Sequence, residues 1–82
     1  MKMALEEYVK QANGNHFVIG VDKFDYEDFW HGSYQNAETA LKEARKCTKE
    51  AMSSASDSSI ATVYYAYDPK GAYLGGDVWN EE

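Results

Sequence analysis

Three features of the sequence predict an α+β domain in the order α-β-β-α-β-β. Apolar residues recur with helical period in two segments, they recur with a period of two in the segments after each, and a Pro and Gly turn divides the last stretch. Short connections between the extended segments imply antiparallel pairing. The expected form is therefore a single small domain, with a sheet of about four strands and both helices packed on one face.

The first helix rests on Leu5, Tyr8, Val9 and Ala12, which fall at i, i+3, i+4 and i+7. Asn13-Gly14-Asn15 follows as a C-cap able to take left-handed backbone. From His16 the period changes: Phe17, Ile19 and Val21 share one side of a strand, and His16, Val18 and Gly20 the other. The alternation loses phase through Asp22-Lys23-Phe24-Asp25-Tyr26-Glu27-Asp28 and resumes in Phe29-Trp30-His31-Gly32-Ser33-Tyr34. A one-residue slip turns every side chain to the other face, so this break predicts a hairpin connection or a bulge, with the turn near Asp25 to Asp28.

Asn36 is positioned as an N-cap, with Glu38 in the first turn near the positive end of the helix dipole. The long helix that follows carries Ala37, Ala40, Leu41, Ala44, Cys47, Ala51 and Ala55 as its buried stripe, with Glu38–Lys42 and Lys46–Glu50 pairs on the wet side. It would run ~25 Å or more and, being alanine-faced, would lie close to its sheet. Ser53 to Ser59 reads as a flexible connection. Ile60 to Tyr67 is rich in β-branched and aromatic residues, and Asp68-Pro69-Lys70-Gly71 is a turn leading to a second arm, Ala72-Tyr73-Leu74. Gly75-Gly76 then marks a bulge or a close backbone contact before Asp77-Val78-Trp79.

With 82 residues the chain holds one core, so residues 1–82 are read as one domain. A formal net charge of −6 opposes contact with phosphate backbones and anionic lipid, which leaves a basic protein surface as the expected partner, with no direct nucleic acid and no membrane. Cys47 is the single cysteine, which excludes an intramolecular disulfide, and Glu6 and Glu7 fall where a signal peptide needs its apolar core. A cytoplasmic setting is expected.

Asp22, Asp25, Glu27 and Asp28 are interleaved with Phe24, Tyr26, Phe29 and Trp30, and Asp77 and Trp79 repeat the theme near the C-terminus. Carboxylates so close repel each other and stay in solvent unless a cation meets them, while rings supply contact area at low entropy cost. Asp22, Asp25, Tyr26, Glu27, Asp28, Trp30, Asp77 and Trp79 are therefore the candidate partner-binding residues. If the hairpin and tail share one side, the acidic face would compete with nucleic acid for a basic groove, an inhibitory role; the bland reading is a polar loop whose rings fold inward. Seven tyrosines support an alternative, a self-associating structural protein that dimerises through a sheet face of Tyr34, Tyr65, Tyr67 and Tyr73.

Asp25, Asp28 and His31, with Asp22, form a weak divalent-ion pattern that matches neither a calcium loop nor a helical histidine pair, so no metal and no cofactor is expected. Cys47 lies on the helical stripe without a positional link to His16 or His31, the serines of 53–59 lack a paired base, and Gly71 with Gly75-Gly76 opens no phosphate loop. A catalytic role is not expected.

Overall fold

A computed structural model describes residues 5–22, 27–54 and 62–76. The order is α1 (Leu5–Ala12), β1 (His16–Asp22), β2 (Glu27–Tyr34), α2 (Ala37–Ser54), β3 (Val63–Tyr67) and β4 (Tyr73–Gly75). The four strands form one antiparallel sheet in the order β2-β1-β3-β4. This is the α-β-β-α-β-β domain that the periodicities predict. No helix among the described residues is long and apolar enough to cross a membrane.

The local signals act where they were read. Asn13 takes φ 54° and Gly14 φ 89°, and the Asn13 amide donates to the Val9 and Lys10 carbonyls to close α1. Asn36 Oδ1 accepts from the Thr39 amide at 2.8 Å, the N-cap bond that starts α2. In the β3–β4 connection Gly71 N donates to the Asp68 carbonyl at 2.9 Å, and Asp68 Oδ1 accepts from the Lys70 and Ala72 amides at 2.8 Å each. Residues 23–26, 55–61 and 77–82 lie outside the described residues, and with them Asp25, Tyr26 and the Asp77-Val78-Trp79 end of the second arm; Glu27 and Asp28, expected in the turn, are already paired in β2, and Ser53 and Ser54, expected in the connection, still belong to α2.

The placement of the helices differs from the expectation. Phe17 and Val18 are neighbours on β1, point to opposite sides of the pleat, and are both 0% exposed. A sheet covered on one side only would leave one of them in water. Phe17 and Ile19 pack with Tyr8 and Ala12 of α1, whereas Val18 packs with Ala40 and Ala44 of α2 and with Ala66 of β3. The two helices thus lie on opposite faces. The reason is β1 itself, the second of four strands, which is apolar on both sides and needs two covers.

On the α1 face the large rings form a row. Tyr67 stacks on Phe17 with centroids 5.2 Å apart, Phe17 on Trp30 at 5.9 Å, and Trp30 on Tyr8 at 6.3 Å, with interplanar angles of 20°, 15° and 21°. Offset stacking of this kind adds about 0.5–1.5 kcal/mol per pair beyond area burial. On the α2 face the residues are small. Ala40, Ala44 and Thr48 recur every four residues and are all 0% exposed, so the fully buried stripe includes a threonine that the alanine pattern did not single out. Thr48 Oγ1 accepts from the Tyr64 amide at 2.9 Å and donates to the Gly76 carbonyl at 3.0 Å, which pins the helix to β3 and to the end of β4. Gly76 has φ 113°, and a Cβ there would come 2.5 Å from Ala44 Cβ, so close approach of α2 requires glycine.

Candidate functional site

β2 carries a bulge that distributes the sequence-predicted residues. Val18 pairs with Gly32 and Ile19 with Trp30, so His31 is the extra residue. Its insertion sends Trp30 to the α1 face and turns His31 towards α2. Asp28 pairs with Val21 on the α1 side, whereas Phe29 lies over Gly20 on the α2 side. Asp22 and Glu27 pair across the hairpin on the same side as Phe29.

The acidic-aromatic hairpin therefore does not present a single surface among its described residues. Trp30, expected as an outward anchor, is half-buried in the ring row under α1, and Asp28 faces the opposite side from Asp22 and Glu27. Asp25, Tyr26, Asp77 and Trp79 lie outside the described residues. The proposed ligand pattern of Asp28 with His31 is also divided, since the bulge puts the two on different faces.

Of the four tyrosines expected on one face, Tyr65, Tyr67 and Tyr73 are together on the α1 side, with Tyr73 ring centroids 5.8 and 6.0 Å from those of Tyr65 and Tyr67. Tyr34 is not with them. It pairs with His16 in the opposite pleat phase and packs against the Val18, Ala40 and Ala44 cluster under α2. Burial first, and Glu43 second, raise its phenol pKa.

Beside α1 this tyrosine face forms a groove of about 210 Å³. Ile19, Val21, Tyr65 and Tyr67 supply its sheet side, and Leu5, Tyr8 and Asp28 also line it. The Tyr8 hydroxyl donates to Asp28 Oδ2 at 2.9 Å. Burial, reinforced by that bond, pushes the Tyr8 pKa up to about 12, so the phenol stays a donor across the physiological range. The other carboxylate oxygen, Asp28 Oδ1, is enclosed and accepts no hydrogen bond from the described residues. A buried acceptor left in this state costs about 1–3 kcal/mol, and more when charged.

The second constellation lies on the opposite face and joins two elements. Glu43 and Cys47 stand four apart on α2, one turn from each other, and the bulge brings His31 against them. His31 Nε2 lies 3.3 Å from Glu43 Oε2 and 3.7 Å from Cys47 Sγ, and the thiol donates to Glu43 Oε2 at 3.4 Å. The His31 and Tyr64 rings pack in a T, with centroids 5.2 Å apart. The hydrogen bond from His31 holds the Glu43 carboxyl below its ordinary range, while burial and then Glu43 push the Cys47 thiol up to about 11. A thiol kept protonated in this way is a poor nucleophile.

The expectation that Cys47 has no link to His31 is thus corrected. The four-residue spacing of Glu43 and Cys47 was readable, but the third member depends on a bulge that the strand pattern does not locate. No protein-family model, curated protein or solved structure matches the chain.

Proposed function

We propose that this protein is a small acidic, non-catalytic binding module whose α1 face receives a basic segment of a partner protein, with a lysine or arginine side chain entering the groove. The observation that carries this reading is Asp28 Oδ1, an enclosed carboxylate oxygen with no donor among the described residues, at an apolar, tyrosine-lined groove. A basic side chain supplies both things the groove lacks. Its methylene stem covers Ile19 and Val21, and its charged head rests at the groove wall formed by Asp28 and the faces of Tyr65 and Tyr67, held there by the carboxylate's charge. The net charge of −6 steers such a partner towards the surface.

A blocking or regulatory role follows if the bound segment is itself functional in the partner. Mimicry of a nucleic acid is not part of this reading, because Asp28 faces away from Asp22 and Glu27.

The test is calorimetric titration with short arginine- and lysine-bearing peptides and their glutamine-substituted counterparts. Binding of the basic peptides alone, weakened at least about tenfold by Asp28→Asn and by added salt, supports the assignment. Equal binding of both sets, or binding indifferent to Asp28→Asn, would sink it.

Self-association through the same face is the second reading, favoured by Tyr73 at 53% and Leu5 at 42% exposure. It requires two chains of charge −6 to meet, which the field of each opposes. Light scattering separates the readings: a dimer dissociated by Tyr73→Glu supports self-association, and a monomer at every concentration removes it.

A further inference from the structure

We infer that His31, Glu43 and Cys47 form a zinc site, independent of the groove and on the other face of the sheet. The three side chains offer one nitrogen, one oxygen and one sulfur, and their ligand atoms all lie within 4.8 Å of one another. The spacing is the argument. Zinc bonds of ~2.0–2.3 Å at the tetrahedral angle place neighbouring ligand atoms ~3.3–3.6 Å apart. The observed separations are 3.3 Å between nitrogen and oxygen, 3.4 Å between oxygen and sulfur, and 3.7 Å between sulfur and nitrogen. Three atoms at these separations form one face of a tetrahedron whose centre lies at zinc-bond distance from each.

The donor set selects the metal class. Thiolate and imidazole disfavour magnesium and calcium, which take oxygen ligands, and the mixed set suits a borderline-soft divalent ion. His31 and Glu43 side chains are 26% and 30% exposed, so solvent ions have access. Coordination replaces the Cys47 S–H bond with an S–Zn bond and releases that proton to solvent, while the imidazole binds through the lone pair of Nε2, any proton there passing to Nδ1 or to solvent, and the carboxylate binds as its anion. Three protein ligands leave the fourth position for water or for a side chain brought by another molecule.

The ion would clamp the β2 bulge to the middle of α2. This explains why an extra residue in β2 turns a histidine towards a glutamate and cysteine one helical turn apart.

The test is titration of zinc alone into the metal-free full chain, followed by calorimetry and thermal melting. One ion per chain, a dissociation constant in the micromolar range or below, and a higher Tm that magnesium does not reproduce are expected. Cys47→Ser and His31→Gln should each weaken binding at least ~100-fold, since a lost ligand costs no less than a lost supporting contact. Cobalt(II) in the unmodified chain gives a readout that needs no variant: a thiolate-to-cobalt charge-transfer band and the intense visible bands of tetrahedral cobalt. Absence of zinc binding at micromolar metal would leave only a hydrogen-bonded trio and overturn the proposal. So would a cobalt spectrum without the thiolate band, or variants that bind as tightly as the original chain.

Discussion

The two faces of the sheet are covered by different means, and β1 supplies both. Towards α1 it presents Phe17 and Ile19; towards α2 it presents Val18 and Gly20. An eight-residue helix about 12 Å long stands on a row of rings, whereas an 18-residue helix about 27 Å long lies on alanines and glycine. Large rings hold a short cover away from the sheet beyond them, and a groove remains. Small residues let the long helix down until its own polar side chains, Thr48, Glu43 and Cys47, reach the strands. The difference teaches where each kind of site can arise: an apolar groove beside rings that outrun their cover, and a polar cluster where backbone approaches closely.

The sharpest way to break the comparison is to remove the ring at its centre. Phe17→Ala should cost about 3–5 kcal/mol of stability in urea unfolding, because it opens a cavity between Tyr67 and Trp30 in a side chain that is fully buried. A loss below about 1 kcal/mol would mean that the row is not what supports α1. On the other face, Gly76→Ala should cost about 1–3 kcal/mol, through positive φ and through a Cβ that meets Ala44. If that variant unfolds at the same denaturant concentration as the parent, α2 is not in close approach at this point.

Tyr8→Phe should cost about 1–2 kcal/mol by leaving Asp28 without its donor, read by the same unfolding series. The pH dependence sharpens it. Burial and Asp28 raise the folded-state pKa of Tyr8 from 10.0 to about 12, so its contribution is complete below pH 10 and is lost as pH rises towards 12. The parent chain should lose this part of its stability across that window, and Tyr8→Phe should not show it. The smallest effect is expected from Tyr73→Ser, under about 1 kcal/mol, since the ring is 53% exposed and edge-packed. A larger loss that grows with protein concentration would show this face to be covered in solution by another copy.

Much of this architecture is legible in the order of residues. The end of α1 needs left-handed backbone, and Asn13-Gly14 stands there; α2 needs an amide acceptor, and Asn36 supplies it; the last hairpin turns on Asp68 and Gly71. Each of these signals involves partners within four residues, so spacing along the chain is enough to read them. The alternation in Phe17, Val18 and Ile19 also announced two faces. It did not announce that both would be buried, because apolar character on both sides of a strand is compatible with one helix layer and exposed residues, or with two layers.

The candidate sites were less legible, for the same reason in reverse. The parity break after Val21 was visible, but the bulge at His31 lies within the second strand, and one extra residue there exchanges the faces of Trp30 and His31. A tryptophan expected to meet a partner became part of the ring row, and a histidine read together with Asp25 and Asp28 came to lie 3.7 Å from a cysteine 16 positions away. Thr48 entered the buried stripe because two backbone groups from β3 and the end of β4 needed a partner there.

By itself the sequence determined the number, type and order of the elements, their caps and turns, and the surplus of negative charge. Those follow from interactions within a few residues and from composition. Only the tertiary structure decided which helix covers which face, which carboxylate loses its company in the groove, and which nitrogen, oxygen and sulfur meet behind it. Such choices depend on how distant surfaces fit in size, and a single inserted residue in β2 is enough to reassign them.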